Sequence, residues 1–443
     1  MRQITLYSLP FAVTAAICMA QAVQTGTAPS AKVVIKTQGY LPFADAPIYY
    51  RSTDVNDPIA RLEKQLERGA AQLQYEPEHG YLRSVLDALH VPVNSQGLVF
   101  AKNSFQFPLI NPSNPRALYY NDDVYVGQVH SAKFLEFIAF DPQQGPIFYV
   151  MDERKSERPR FERAAIDCVQ CHVAGSTRGV PGVMMRSVYT KPSGYTVASA
   201  KSFVTGQESP LEERWGGWYV TAVHGAEIGL GNLTVSNPQS LEHLERPAIA
   251  NIASLSEHLN TSLYLSGSSD IVALMVLAHQ TQMHNLITDT NYRTRMALFS
   301  GTEESQKQYQ DSAEQLVRYL LFTNEVRLES PVAGNTSFAQ EFAARGPFDP
   351  QGRSLRQFDL KTRIFKYPCS YLIYTDSFDA LPEPAKQYIY RRLLEVLSGR
   401  DQSPEFKNLS SEDRRAILEI LVSTKPGVPS EWKQFVVQPR SKG

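Results

Sequence analysis

The period of apolar positions along this chain changes twice. Ile59, Leu62, Leu66 and Leu73 recur at helical spacing behind Asp57 and Pro58, a natural cap with proline at the first helical position. Residues 81–90 repeat that spacing with Leu82, Val85, Leu86 and Leu89. The period then drops to two. Residues 124–126, 134–140 and 147–150 read as strands, and the last two join across Asp141-Pro142-Gln143-Gln144-Gly145 as a hairpin. Residues 97–150 are therefore predicted to be mostly sheet. A charged link over 151–163 follows, then short strand-like pieces at 186–189 and 217–223. From about Leu241 the helical period returns. Asp270 caps an apolar helix reaching about Met296, and further helices fit 304–322, 383–397 and 411–422. The fold class read from this pattern is α+β, with a mixed front half and a mainly helical back half. The regions divide at 23–160, 161–240 and 241–443.

Composition narrows the class. The chain has 443 residues, 42% hydrophobic, with 25 Gly and 28 Pro, which excludes a disordered or collagen-like chain and makes two or three domains the expectation. Lys plus Arg is 44 against 45 Asp plus Glu, so no basic footprint for nucleic acid exists. Arg2, the apolar run over residues 4–20 and the Ala20-Gln21-Ala22 site predict a secretory signal peptide at 1–22, with an uncleaved anchor as the competing reading. Cys18 follows Ile17, which disfavours a lipoprotein site. No later stretch approaches the roughly 18 apolar residues of a membrane helix. The mature chain is thus expected in the periplasm or secreted, with no transmembrane segment after cleavage. It keeps Cys168, Cys171 and Cys369.

Two of those cysteines stand three apart and are followed by histidine. Cys168-Val169-Gln170-Cys171-His172 is the C-x-x-C-H signature of covalent haem attachment. Thiols three apart share one side of a helical turn, where both can add to the vinyl groups of one haem edge. The next histidine then faces the iron. Chance placement of this trio in such a composition is on the order of 1 in 2,000. A thioredoxin-like pair needs a βαβ setting, which residues 151–167 do not offer. Zinc would need two further ligands, and a disulfide across two residues leaves the histidine without a role.

At this motif the chain resembles the c-type cytochromes. The segment Gly179-Val180-Pro181-Gly182-Val183 is similar to the loop those proteins place after the haem motif. The resemblance implies one haem c held by two thioethers from Cys168 and Cys171, with His172 as proximal iron ligand. It also implies that the Pro181 carbonyl accepts the histidine's second N–H. The match to a small cytochrome spans about thirty residues. Some 145 mature residues precede the motif, and no Met-bearing loop closes the far side. As a whole the chain resembles large exported bacterial monohaem proteins, through segments such as Asn121-Asp122-Asp123-Val124-Tyr125-Val126-Gly127 and Arg214-Trp215-Gly216-Gly217-Trp218-Tyr219-Val220.

The sixth iron position separates a carrier from an enzyme. His279, in the middle of an apolar helix, and His224, at a strand end, are the two histidines considered for it. A methionine ligand or a vacant position stays open beside them. The leading function is one-electron transfer with an unidentified redox partner protein. The rivals are a peroxidase-like haem oxidoreductase with an open distal site, and a haem-based sensor or binding protein. Size favours the enzyme. The absence of a second C-x-x-C-H weighs against it.

Overall fold

The computed structural model describes residues 42–164, 168–223, 229–237, 241 and 252–437. The N-terminal segment expected to be a signal peptide lies outside them. The chain begins with two helices, α1 (Pro58–Glu67) and α2 (Leu82–Ala88). Asp57 caps α1 as its side chain predicts, its Oδ1 accepting the Ile59 and Ala60 N–H groups at 2.9 and 3.1 Å. Its other carboxylate oxygen receives the Tyr149 hydroxyl at 2.6 Å, which ties the helix to the sheet.

That sheet is built from β1 (Gly97–Val99), β2 (Arg116–Tyr120), β3 (Val124–Gln128), β4 (Phe134–Asp141), β5 (Gly145–Asp152) and β6 (Glu162–Arg163). Consecutive strands pair antiparallel, and β4 and β5 form the predicted hairpin in register Phe134↔Asp152 through Asp141↔Gly145. One turn of helix, α3 (Val169–His172), follows. A separate ribbon of β7 (Arg186–Val188) and β8 (Ser202–Val204) comes next. Then β9 (Trp218–Tyr219) returns to pair with β1, giving the order β6-β5-β4-β3-β2-β1-β9 among the described residues.

The back half is α4 (Ile271–Ser300), α5 (Glu303–Leu320), α6 (Phe338–Ala344), α7 (Asp376–Asp379), α8 (Glu383–Leu397), α9 (Ser411–Thr424) and α10 (Lys433–Val437). The fold is α+β. Asp270 caps α4 by accepting the Val272 N–H at 2.8 Å, and Gly301 ends it at φ 66°, the left-handed conformation that suits glycine. The back half is less helical than the apolar period predicts. Residues 325–337 and 345–370 are mostly irregular, and their Phe358, Phe365 and Tyr367 fill an aromatic core from loops. No helix among the described residues is long and apolar enough to cross a membrane.

Alternation along the strands divides most of the apolar side chains between two cores; Phe148 is an exception, on the face of Tyr125 by register but packed into the cluster that includes Phe137. Tyr119, Val126, Leu135, Phe137 and Met151 turn to the face shared with α1 and α2. Tyr120, Tyr125 and Phe140 turn to the other face, toward α4. Helix α4 is buried on nearly every side. Its first eight residues are apolar, whereas its later residues include buried His279, Gln280, His284, Asn285, Asp289 and Arg293. Each of these residues makes at least one interior hydrogen bond, although His284 Nδ1 and one Arg293 nitrogen stay buried without a partner.

Candidate haem site

The C-x-x-C-H segment is a single helical turn fastened by its first residue. The N–H groups of Cys171 and His172 both donate to the Cys168 carbonyl, at 3.1 and 3.0 Å. Val169 is buried in the same core as Val180, Phe148 and Phe161. Cys171 is exposed, whereas Cys168 is half-buried and packs against that core, and His172 is half-buried.

The loop behind the turn folds back on the histidine. His172 donates its Nδ1–H to the Gly182 carbonyl at 2.8 Å, and the Gly182 N–H donates to the His172 carbonyl at 2.9 Å. A carbonyl can only accept, so this contact places the proton on Nδ1 and leaves the lone pair on Nε2. Nε2 makes no hydrogen bond among the described residues, and it is not alone in this: Nδ1 of the buried His284 has no partner either. Inside the loop, the buried Thr177 accepts the Ala174 N–H at 2.9 Å and faces the Val180 carbonyl at 2.8 Å. Burial pushes the His172 pKa below the ordinary imidazole value, partly opposed by the Gly182 carbonyl.

Phe148 on β5 lies with its ring centroid 4.7 Å from that of His172. It shares a sheet face with Leu118, Ile138 and Val150, as the pairings Ile138↔Phe148, Leu118↔Gly127, Gly127↔Glu136 and Glu136↔Val150 require. Those three aliphatic residues are only half-buried, while their neighbours on the opposite face are buried. On the same face Arg116 and Glu136 form an ion pair at 2.5 Å, and the Ser104 hydroxyl binds Glu136 at 3.2 Å. The charges of this pair act on His172. The donor set thus fits a haem: two thiols on one turn, a neutral imidazole with an uncommitted nitrogen, and a half-covered apolar face beside it. Among the described residues no group of three or more His, Cys, Asp or Glu is arranged to hold a metal ion.

The structure corrects two of the predicted roles. The acceptor for His172 is Gly182 and not Pro181, because Pro181 pairs with Val173 in an antiparallel bridge and the next carbonyl is the one that reaches the ring. His279 has both ring nitrogens engaged, so it has none left to offer a metal. Nδ1 donates to Gln207 Oε1 at 2.7 Å, and Nε2 accepts the Ser370 hydroxyl at 2.8 Å. The ring also stacks near Tyr319 and Phe322, at 5.4 and 4.5 Å between centroids, and burial pushes its pKa down to about 3. His224 lies outside the described residues. Met184 Sδ receives the Ser176 hydroxyl at 3.5 Å, and Met185 is buried in the core on the α4 side. Cys369 is buried, and desolvation pushes its thiol pKa up, so it is unreactive as the apolar residues around it suggest.

Sequence reasoning missed Gly182, Phe148 and Asn285, the last of which binds the backbone of Val183. Gly182 was visible as the second glycine of the Gly179–Val183 segment. Asn285 was visible as a polar residue in a helix that begins wholly apolar. Comparison with known protein families, curated proteins and solved structures finds no match to this chain.

Proposed function

We propose that this chain is an exported c-type haem protein that passes single electrons between redox partner proteins. In this reading Cys168 and Cys171 add as thioethers to one haem, and His172 Nε2 ligates its iron. The observation that carries the reading is the committed state of His172: Nδ1 is tied to the Gly182 carbonyl, and Nε2 is left without a partner one residue after the second thiol. When bound, the haem supplies a one-electron ferrous/ferric couple, filled by a reduced donor protein and emptied by an oxidised acceptor protein.

The remaining work belongs to the chain's own side chains. The two thiols hold the ring covalently, so it survives denaturation. Gly182 fixes the imidazole tautomer and raises its basicity. Burial pushes the His172 pKa below the ordinary imidazole value, against the pull of the Gly182 carbonyl. Phe148 packs beside the imidazole, and its sheet face continues through the half-buried Leu118, Ile138 and Val150. The segment at residues 1–22 supports export to the periplasm or beyond, the compartment in which such attachment takes place.

A difference spectrum between dithionite-reduced and oxidised protein tests this. A sharp reduced band of covalently bound haem, unaffected by carbon monoxide, is expected for a closed carrier. Absence of any haem band sinks the proposal. The second reading, a haem oxidoreductase with an open distal position, is favoured by one observation: both nitrogens of His279 are occupied elsewhere. A reduced spectrum that shifts under carbon monoxide would select it.

A further inference from the structure

The carbonyl that holds His172 belongs to the peptide unit joining Gly182 to Val183, and a side chain from α4 grips that same unit. Asn285 Oδ1 accepts the Val183 N–H at 2.9 Å, and Asn285 Nδ2 donates to the Val183 carbonyl at 2.7 Å. Asn285 is fully buried. A peptide unit is planar, so fixing the Val183 N–H on one side fixes the direction of the Gly182 C=O on the other. The N–H bond to Asn285 also polarises that carbonyl and makes it a stronger acceptor, since hydrogen bonds in series reinforce one another. Position 182 has no room for a side chain. A Cβ there would collide with Asn285 Oδ1 and would sit 2.7 Å from the Cβ of Thr177.

One turn further along α4, Asp289 receives Arg178 Nε at 3.3 Å, Arg293 Nε at 2.7 Å and the Ser312 hydroxyl at 2.6 Å. The loop behind the C-x-x-C-H turn is therefore fastened to a single helix stripe at two points. Asp289 holds its outer bend, and Asn285 holds the one peptide unit that touches the imidazole.

We infer that Asn285 is a positioning residue for His172, which sets how strongly the Gly182 carbonyl pulls on the Nδ1–H. The inference rests on the haem reading above. A stronger pull gives the imidazole more anionic character and stabilises ferric iron; a weaker pull favours the ferrous state. Removing the Asn285 clamp should therefore raise the reduction potential while leaving the haem attached.

The test is a spectroelectrochemical titration of the full-length haem-loaded protein and three variants. Asn285→Leu removes both bonds, Asn285→Ser can keep one, and Gln280→Leu removes buried bonds of α4 to Asn121, Tyr125 and Tyr371 that lie away from the loop. The expected order is the highest potential for Asn285→Leu, an intermediate one for Asn285→Ser, and the wild-type value for Gln280→Leu. If Asn285→Leu does not retain haem, Asn285→Ser against Gln280→Leu decides the question alone. Asn285 variants at the wild-type potential, or a Gln280→Leu shift of equal size, overturn the inference. A wild type without covalent haem on a denaturing gel is a different failure, because it removes the haem reading itself.

Discussion

His172 and His279 share one physical state and differ in one bond. Desolvation lowers the pKa of both imidazoles, and both have an aromatic ring within 5 Å between centroids. Around His279 the interior is closed: a glutamine and a serine take one nitrogen each. Around His172 a backbone carbonyl takes one nitrogen and the other remains uncommitted beside a half-covered sheet face. Burial and a lowered pKa therefore do not distinguish a ligand from a core residue. Nor does an uncommitted nitrogen on its own, since His284 also gives one nitrogen to a backbone carbonyl and leaves the other unpartnered in the core. What sets His172 apart is the pair of thiols that precedes it.

The largest expected difference between the two regions is in haem retention. The Cys168→Ala/Cys171→Ala double variant should lose all haem staining on a denaturing gel, whereas His279→Leu should keep wild-type staining per folded molecule. A His279→Leu protein whose iron turns high-spin would erase the comparison, because it would make His279 a ligand after all.

Stability should show the reverse order. His279→Leu leaves Gln207 Oε1 without its donor and the Ser370 hydroxyl proton without its acceptor in the core, at a cost of about 2–4 kcal/mol in chemical denaturation. That cost should depend on pH. The folded pKa of His279 is about 3 against about 6.5 in the unfolded chain, so the contribution of the neutral ring is complete above pH 7. It falls as pH drops through 6.5 toward 3, by at most about 1.4 kcal/mol per unit. The difference between wild type and His279→Leu should therefore shrink on acidification. A difference that grows below pH 6 would mean that the ring is charged in the fold.

Smaller effects sharpen the loop's side of the comparison. Gly182→Ala has to push its new methyl group against Asn285 and Thr177, and should cost about 1–3 kcal/mol in thermal unfolding. Pro181→Ala should cost under about 1 kcal/mol, mostly through the unfolded chain. It should leave the reduction potential unchanged, because the neighbouring carbonyl is the acceptor. A shift in potential with Pro181→Ala as large as that of Asn285→Leu would return the role to Pro181.

What the sequence made legible is what short range determines. The cap at Asp57, the β4–β5 hairpin, the cap at Asp270 and the whole of α8 follow from residues within a few positions of one another. The C-x-x-C-H turn is equally local. The partners of His279 are not, since Gln207 and Ser370 stand 72 and 91 residues away and carry no periodic signal. Asn285 reaches Val183 across 102 residues. A helical period reports which side chains face inward, and it is silent on which buried polar groups meet there. The same limit explains the irregular stretch before α7: Phe358, Phe365 and Tyr367 are buried by packing on other elements and not by an apolar face of their own.

The most direct measurement of the central claim is the mass of the denatured wild-type protein and of its protease fragment spanning Cys168 to His172, prepared from cells that export it and mature haem c. Haem bound through both cysteines predicts one haem adduct on that fragment, resistant to acid and organic extraction. A fragment at its bare peptide mass, from cells that attach haem normally to a control cytochrome, would contradict the account.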